Sequence, residues 1–239
     1  MNGNGGNSVV DLYMVNSARQ FEYVEHSCYD QELNPTEEKL VMSMGSRIEN
    51  PNYDLVRLVA THRDSSKDTG KYFLKGAHIK VNDMLRDGKV RLDNSSTLDV
   101  GYLDRAFVNS DKTALELLTL LSRRDRGEGY NHAMPSVHEL AYRGLSSIAK
   151  YSSSMLGKLG GNQRGLIVVS VHNPLIDAVW EHLNPANQDD YFSPGDFIHG
   201  LFKEGCCSIS FCKEGNDIES QPVFWNSNTL GQLIDRLQI

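Results

Sequence analysis

Short apolar runs alternate with longer stretches of helical period along this chain, and that alternation is the first guide to its fold. VVDLYMV (Val9 to Val15) reads as a short strand, LVRLVAT (Leu55 to Thr61), compact and rich in β-branched residues, as a buried strand, and GLIVVSV (Gly165 to Val171) as the strongest strand in the chain. GYLDRAFVNS (Gly101 to Ser110) reads as another, and further strands are expected at DFIHGLF and CSISF. Between them lie helical patterns. LNPTEEKLVMSMGSRI (Leu33 to Ile48) starts with a capping Asn34, Pro35 in the first turn, and Glu37 and Glu38 at the positive helix end. GAHIKVNDMLRDG (Gly76 to Gly88), KTALELLTLLSRR, SVHELAYRGLSSIAKYSSSMLGKL, NPLIDAVWEHL and TLGQLIDRLQI are predicted helices, while HRDSSKDTG and DRGEGYNHAMP are predicted loops.

Strands alternating with helices argue for an α/β fold, a three-layer sandwich whose central sheet is mainly parallel and covered by helices on both faces. The chain shows no internal repeat and no Pro- or Ser-rich linker, which predicts a single domain over residues 9–239 behind a disordered Gly/Asn-rich start at 1–8. The net charge of −7 and pI near 5.6 argue against a nucleic-acid partner, since such binding needs a basic patch. No apolar run reaches the length of a membrane span, and MNGNGGNS lacks the character of a signal peptide, so no membrane partner and a cytoplasmic location are expected. Cys28, Cys206, Cys207 and Cys212 have neither CxxC nor Cys/His zinc spacing, so they read as reduced thiols, with no metal and no cofactor.

Ligands of open α/β sheets gather beyond the carboxyl ends of the strands. Three predicted strand exits carry suitable chemistry: Thr61-His62-Arg63-Asp64, Ser110-Asp111-Lys112 and His172-Asn173-Pro174. Two of them open helices, whose free amides attract anions. A lone histidine at a strand end is usually structural, but His62 and His172 facing one pocket would allow one imidazole to attack phosphorus while cations spread the developing charge. Glu139, at the start of a long helix, is the candidate proton donor, with His138 as its substitute. Asp64, Lys67 and Asp68 read as a solvated turn, and His199 as a packed or solvated residue without a role. GxxxxGK[ST] and a post-strand GxGxxG are absent, which disfavours a nucleotide-binding protein.

VRLVATHRDSSKDTG resembles the opening strand and Arg-His-Gly signature of the histidine phosphatases, the phosphoglycerate mutase-like superfamily. GYLDRAFVNSDKTALELL resembles their Ser-x-x-x-Arg-Ala segment, and IVVSVHNPLIDAV the strand bearing their second histidine. The resemblance runs from Asp54 to about Phe211 and makes residues 9–53 an N-terminal extension of a core at 54–239. It implies a metal-independent phosphatase acting on a phosphomonoester or phosphohistidine through a phosphohistidine on His62. His172 would be the second pocket histidine, with Arg63 and Lys112 binding phosphate and a small phosphorylated molecule or phosphoprotein as substrate or partner. Thr61 stands where the first Arg belongs, and Lys112 cannot grip phosphate bidentately. In a second register VVDLYMVNSARQ takes the opening strand, Asn16 and Ser17 replace the Arg-His pair, and Arg63 takes the second Arg place. That register removes the nucleophile and implies a pseudoenzyme that keeps His172 and the fold; Thr61 in the Arg place motivates the alternative function, an impaired member that binds a phosphorylated ligand or partner without turnover. In either register the segments from Arg86 to Leu98 and from Arg123 to Pro135 are expected to be loops around the sheet edge.

Overall fold

The computed structural model describes residues 8–17, 32–48, 52–80, 87–98, 135–183, 192–193, 195–203, 206–212, 223–226 and 231–232. Strand β1 (Val9–Asn16) is followed by helix α1 (Pro35–Gly45), β2 (Leu55–Ala60), α2 (Asp64–Gly76) and β3 (Val90–Asn94). A short 3-10 turn (Ser96–Leu98) follows, and then α3 (Val137–Leu156), β4 (Arg164–Val171), α4 (Leu175–Leu183), β5 (Phe197–Lys203), β6 (Cys206–Cys212) and β7 (Val223–Asn226). These strands form one seven-stranded sheet in the order β3-β2-β4-β1-β5-β6-β7. β3, β2, β4 and β1 are mutually parallel, and β5, β6 and β7 continue the sheet in antiparallel fashion.

Strand alternation divides the core into two layers. Leu12, Met14, Ile167 and Val169 face α3 and α4, where Leu140, Leu145, Ile176 and Trp180 close over them. Tyr13, Val15, Leu58 and Val168 face α1 and α2, meeting Val41, Met44, Phe73 and Leu74. The expected helix-sheet-helix sandwich is therefore present. At the start of α1, the Asn34 side chain accepts from the Thr36 and Glu37 amides at 2.9 and 3.0 Å, and Glu37 reaches back to the Asn34 N–H at 2.7 Å.

Several expectations need correction. The strand read as part of an N-terminal extension is central: β1 lies between β4 and β5, so no division at residue 54 describes this sheet. HRDSSKDTG is not a loop, because α2 begins at Asp64 within it. Its inward positions are Ser65, Ser66, Thr69 and Gly70, followed by Phe73 and Leu74, so the buried stripe has helical period but few aliphatic residues to reveal it. The helix expected over 76–88 is not seen in its described part, since Ala77 and His78 form a turn after α2 and residues 79–80 are irregular. The segment from Arg86 to Leu98 supplies β3 rather than only a loop, and Val90 to Asn94 pair with Val56 to Ala60. The strand over 101–110, the helix after it, most of the DRGEGYNHAMP loop, residues 1–7 and most of the last helix lie outside the described residues.

A buried carboxylate lies on the central strand within this apolar frame. Asp11, the third residue of the central strand, is 1% exposed. Its carboxylate accepts from Arg164 Nε at 2.6 Å and from His199 Nε2 at 3.1 Å. Burial alone would raise the Asp11 pKa, but the hydrogen bonds from His199 and Arg164 outweigh it and hold the carboxyl below its ordinary value. His199 is thus half-buried and engaged, stacked on Tyr13 with centroids 4.4 Å apart.

α1 and α2 cross so closely that side chains are excluded. A Cβ on Gly76 would lie 2.1 Å from the Met42 carbonyl oxygen, and one on Gly45 would lie 2.1 Å from that of Phe73. Gly76→Ala is therefore expected to destabilise the protein by about 1 to 3 kcal/mol in urea unfolding, whereas Gly157→Ala, whose added Cβ meets only an oxygen at 3.5 Å, should be neutral or stabilising. Asp11→Ala removes the buried partner of two part-exposed groups that water can then solvate, and a loss of about 1 to 3 kcal/mol is expected in the same measurement.

Candidate active site

Parallel pairing brings the carboxyl ends of β1, β4 and β2 to one edge of the sheet. Asn16 pairs with Val171 and Ala60 with Ser170, so Asn16-Ser17, His172-Asn173 and Thr61-His62-Arg63 leave side by side with β4 in the middle. The Ser17 N–H donates to the Val171 carbonyl at 2.7 Å, which seats Ser17 next to the residue that precedes His172. His62 and His172 share this edge, but their settings differ. His62 is solvent-exposed, whereas His172 is 2% exposed.

The start of α2 is fastened to β4 by hydroxyls. Ser66 Oγ accepts from the Thr61 N–H at 3.2 Å and donates to the Ser170 carbonyl at 2.8 Å. Thr69 Oγ1 donates to the Ser65 carbonyl at 2.8 Å and lies 3.4 Å from Ser17 Oγ. Ser17, Thr61, Ser65, Ser66 and Thr69 are all buried, so short neutral side chains line the interior side of this edge. Arg63 occupies the N-cap position of α2 without a capping side-chain bond, and its side chain is half-buried.

Burial, and after it the positive charge of Arg63, pull the His172 pKa from its ordinary 6.5 down to about 3. His172 is therefore a neutral imidazole at physiological pH, within electrostatic reach of a guanidinium. Beyond it, across the cis Asn173–Pro174 bond, three polar side chains converge on the Phe192 peptide. Asn16 Nδ2 donates to the carbonyls of Phe192 and Ser193, both at 3.1 Å, and Asn173 Nδ2 to that of Phe192 at 2.9 Å. The Phe192 N–H donates to Asp177 Oδ1 at 2.9 Å. Asn16 thus straps residues 192–193 against the sheet edge.

Other candidates carry ion pairs of their own. Glu139 lies in the first turn of α3, where its N–H is capped by Ser136 and its carboxylate pairs with Arg143, the arrangement of a helix-surface ion pair. Asp64 and Lys67 pair with each other at 2.8 Å, and Asp68 pairs with Lys71 at 2.9 Å, as i,i+3 pairs along α2 in place of the solvated turn expected there. Lys112 lies outside the described residues. Sequence reasoning missed Ser65, Ser66, Thr69 and Ser170 as a group; the signal was the spacing of small polar residues directly behind a strong strand. Among the described residues no cluster of three or more His, Cys, Asp or Glu could hold a metal ion.

A histidine kept neutral by folding makes stability depend on pH. Because the unfolded chain binds a proton near pH 6.5 and folded His172 only near 3, this stability is fully present above about 6.5 and declines as pH falls, by up to about 1.4 kcal/mol per pH unit. Asp11 and Asp93, with pKa values held below 3.8, lose their contributions only in more acid solution. In urea titrations between pH 6.5 and 4.5, His172→Gln is expected to flatten the slope relative to wild type.

No protein-family model matches the sequence, and no curated protein matches it. Solved structures do match the backbone. The phosphoglycerate mutase of Bacillus anthracis str. Sterne superposes with a TM-score of 0.54 at 13% identity, over 87% of this chain and 94% of its own. Mycobacterial hydrolase 2 superposes with a TM-score of 0.51 at 15% identity, over 95% and 97%, and mycobacterial hydrolase 1 with 0.51 at 15%, over 90% and 96%. Each overlap takes in most of both chains. The chain has the α/β fold of the phosphoglycerate mutase-like histidine phosphatases.

Proposed function

We propose that this protein is a catalytically impaired relative of the histidine phosphatases, one that holds a phosphorylated ligand or partner at the carboxyl edge of its sheet without turnover through a phosphohistidine. The observation that carries this reading is the end of β1. The central strand leads into Ser17, not a histidine, directly alongside the strand that bears His172. Phosphoryl transfer through an enzyme-bound phosphohistidine needs an attacking imidazole aligned with the phosphate and cations around its oxygens. A buried hydroxyl stands at that position, and Asn16 beside it gives its amide to backbone carbonyls. This arrangement favours the register in which Asn16 and Ser17 take the places of the Arg-His pair.

Binding needs less than turnover. Arg63 supplies a fixed positive charge and a planar fork of donors suited to a phosphate, and neutral His172 adds a polar nitrogen. The amino end of α2 brings the positive end of its helix dipole to the same edge. Calorimetry with inorganic phosphate and with orthovanadate should give saturable binding that weakens about 10- to 100-fold in Arg63→Ala, the range for losing a hydrogen bond to a charged group. In parallel, p-nitrophenyl phosphate should show no release above background and no acid-labile phosphoenzyme. A stoichiometric phosphoenzyme that disappears in His62→Ala would replace this reading with a phosphatase acting through His62. If neither anion binds, both readings are lost.

A further inference from the structure

Where β2 parts from β4, a side chain takes the place of a rung in the sheet. Ala60 pairs with Ser170 across that ladder, and its carbonyl accepts from the Ser95 N–H at 2.8 Å on the β3 side. Successive residues of a parallel strand bond to alternate neighbours, so the next amide to face β4 is that of Thr61, and the carbonyl due to receive it is that of Ser170. Ser66 Oγ lies between the two, accepting from the Thr61 N–H at 3.2 Å and donating to the Ser170 carbonyl at 2.8 Å. A hydroxyl bonded on both sides near the tetrahedral angle holds that amide and carbonyl about 5 Å apart, where a direct rung would hold them at about 2.9 Å. Ser66 is fully buried, so the spacer is built into the fold.

We propose, resting on the phosphate-binding reading, that Ser66 is the positioning residue of that site: its hydroxyl sets the gap between β2 and β4 across which Arg63 and His172 address one phosphate. Arg63 belongs to the same first turn of α2, where the Lys67 N–H donates to the Arg63 carbonyl at 3.1 Å. His172 lies two residues beyond Ser170, and its carbonyl accepts from the Leu175 N–H at 3.0 Å. Each flank is thus held internally, and the Ser66 hydroxyl ties one to the other. Arg63 is near enough for its charge to act on His172. Closing the rung would carry the Arg63 flank about 2 Å towards β4. A guanidinium grips phosphate oxygens through short bonds in a fixed fork, so a shift of that size spoils its fit to an anion that His172 also touches.

In calorimetry with inorganic phosphate, Ser66→Ala, its helix still anchored by Phe73 and Leu74, should bind about tenfold more weakly than wild type. Because Ser66 acts through Arg63, the double variant Ser66→Ala/Arg63→Ala should bind no more weakly than Arg63→Ala alone, a coupling that general loosening of the fold does not produce. Ser66→Cys, whose thiol donates and accepts weakly, should fall between Ser66→Ala and wild type, and it decides the matter if Ser66→Ala fails to fold. Ser152→Ala removes another buried helix hydroxyl, bonded to the Ile148 carbonyl at 2.7 Å on α3, and should lower the melting temperature without changing phosphate affinity. Wild-type affinity in the Ser66 variants, or losses that add in the double variant, overturns the role of Ser66 and leaves the phosphate-binding reading standing. Absence of phosphate binding in wild type ends both.

Discussion

From Val9 opposite Arg164 to Asn16 opposite Val171, β1 lies in parallel against β4, and that pairing decides which side chains meet at the carboxyl edge of the sheet. It puts Ser17 beside the end of β4 and relegates His62 to the far side of that strand. It also makes β1 the hinge between two halves of the sheet, with parallel neighbours on one side and antiparallel β5 on the other. The buried neighbours of His172 follow from that register, as does the strap at residues 192–193.

The site is built from what its backbone neighbours require of it. A phosphate pocket that works through covalent chemistry concentrates cations and imidazoles, all of which need water or counter-charges. Here Ser66 and Thr69 instead satisfy backbone groups, and Ser17 lies against Thr69. Such hydroxyls bury cheaply once paired. His172 adapts to the same surroundings by giving up its proton, which removes the cost of a buried charge beside Arg63.

Much of the fold was legible in the sequence because aliphatic runs announce strands. Val9 to Val15, Leu55 to Thr61 and Gly165 to Val171 all became strands with nearly the expected bounds, and Asn34 caps its helix as read. What escaped notice lacked that contrast. α2 buries serine, threonine and glycine, so its inward stripe resembled a polar loop. β3, at the described edge of the sheet, mixes Arg91 and Asp93 with an exposed Leu92, and so shows no clean alternation. Of the site, the shared edge of His62 and His172 was readable from strand exits, but their unequal burial was not, since burial depends on what distant segments pack over each of them. The central place of β1 was not readable, since strand order is set by pairings between segments far apart in the chain.

The aspartate of β1 has a further effect on how the chain finds its pairing. In a sheet whose faces are both apolar, neighbouring strands can slide past one another at little cost, because one row of aliphatic side chains substitutes for another. Asp11 removes that freedom: displacing β1 by one residue would turn its carboxylate away from Arg164 and His199 into the hydrocarbon layer under α3 and α4. The charge at the centre of the sheet therefore works as an alignment key, spending some stability to exclude the misaligned sheets that a wholly aliphatic strand would have allowed.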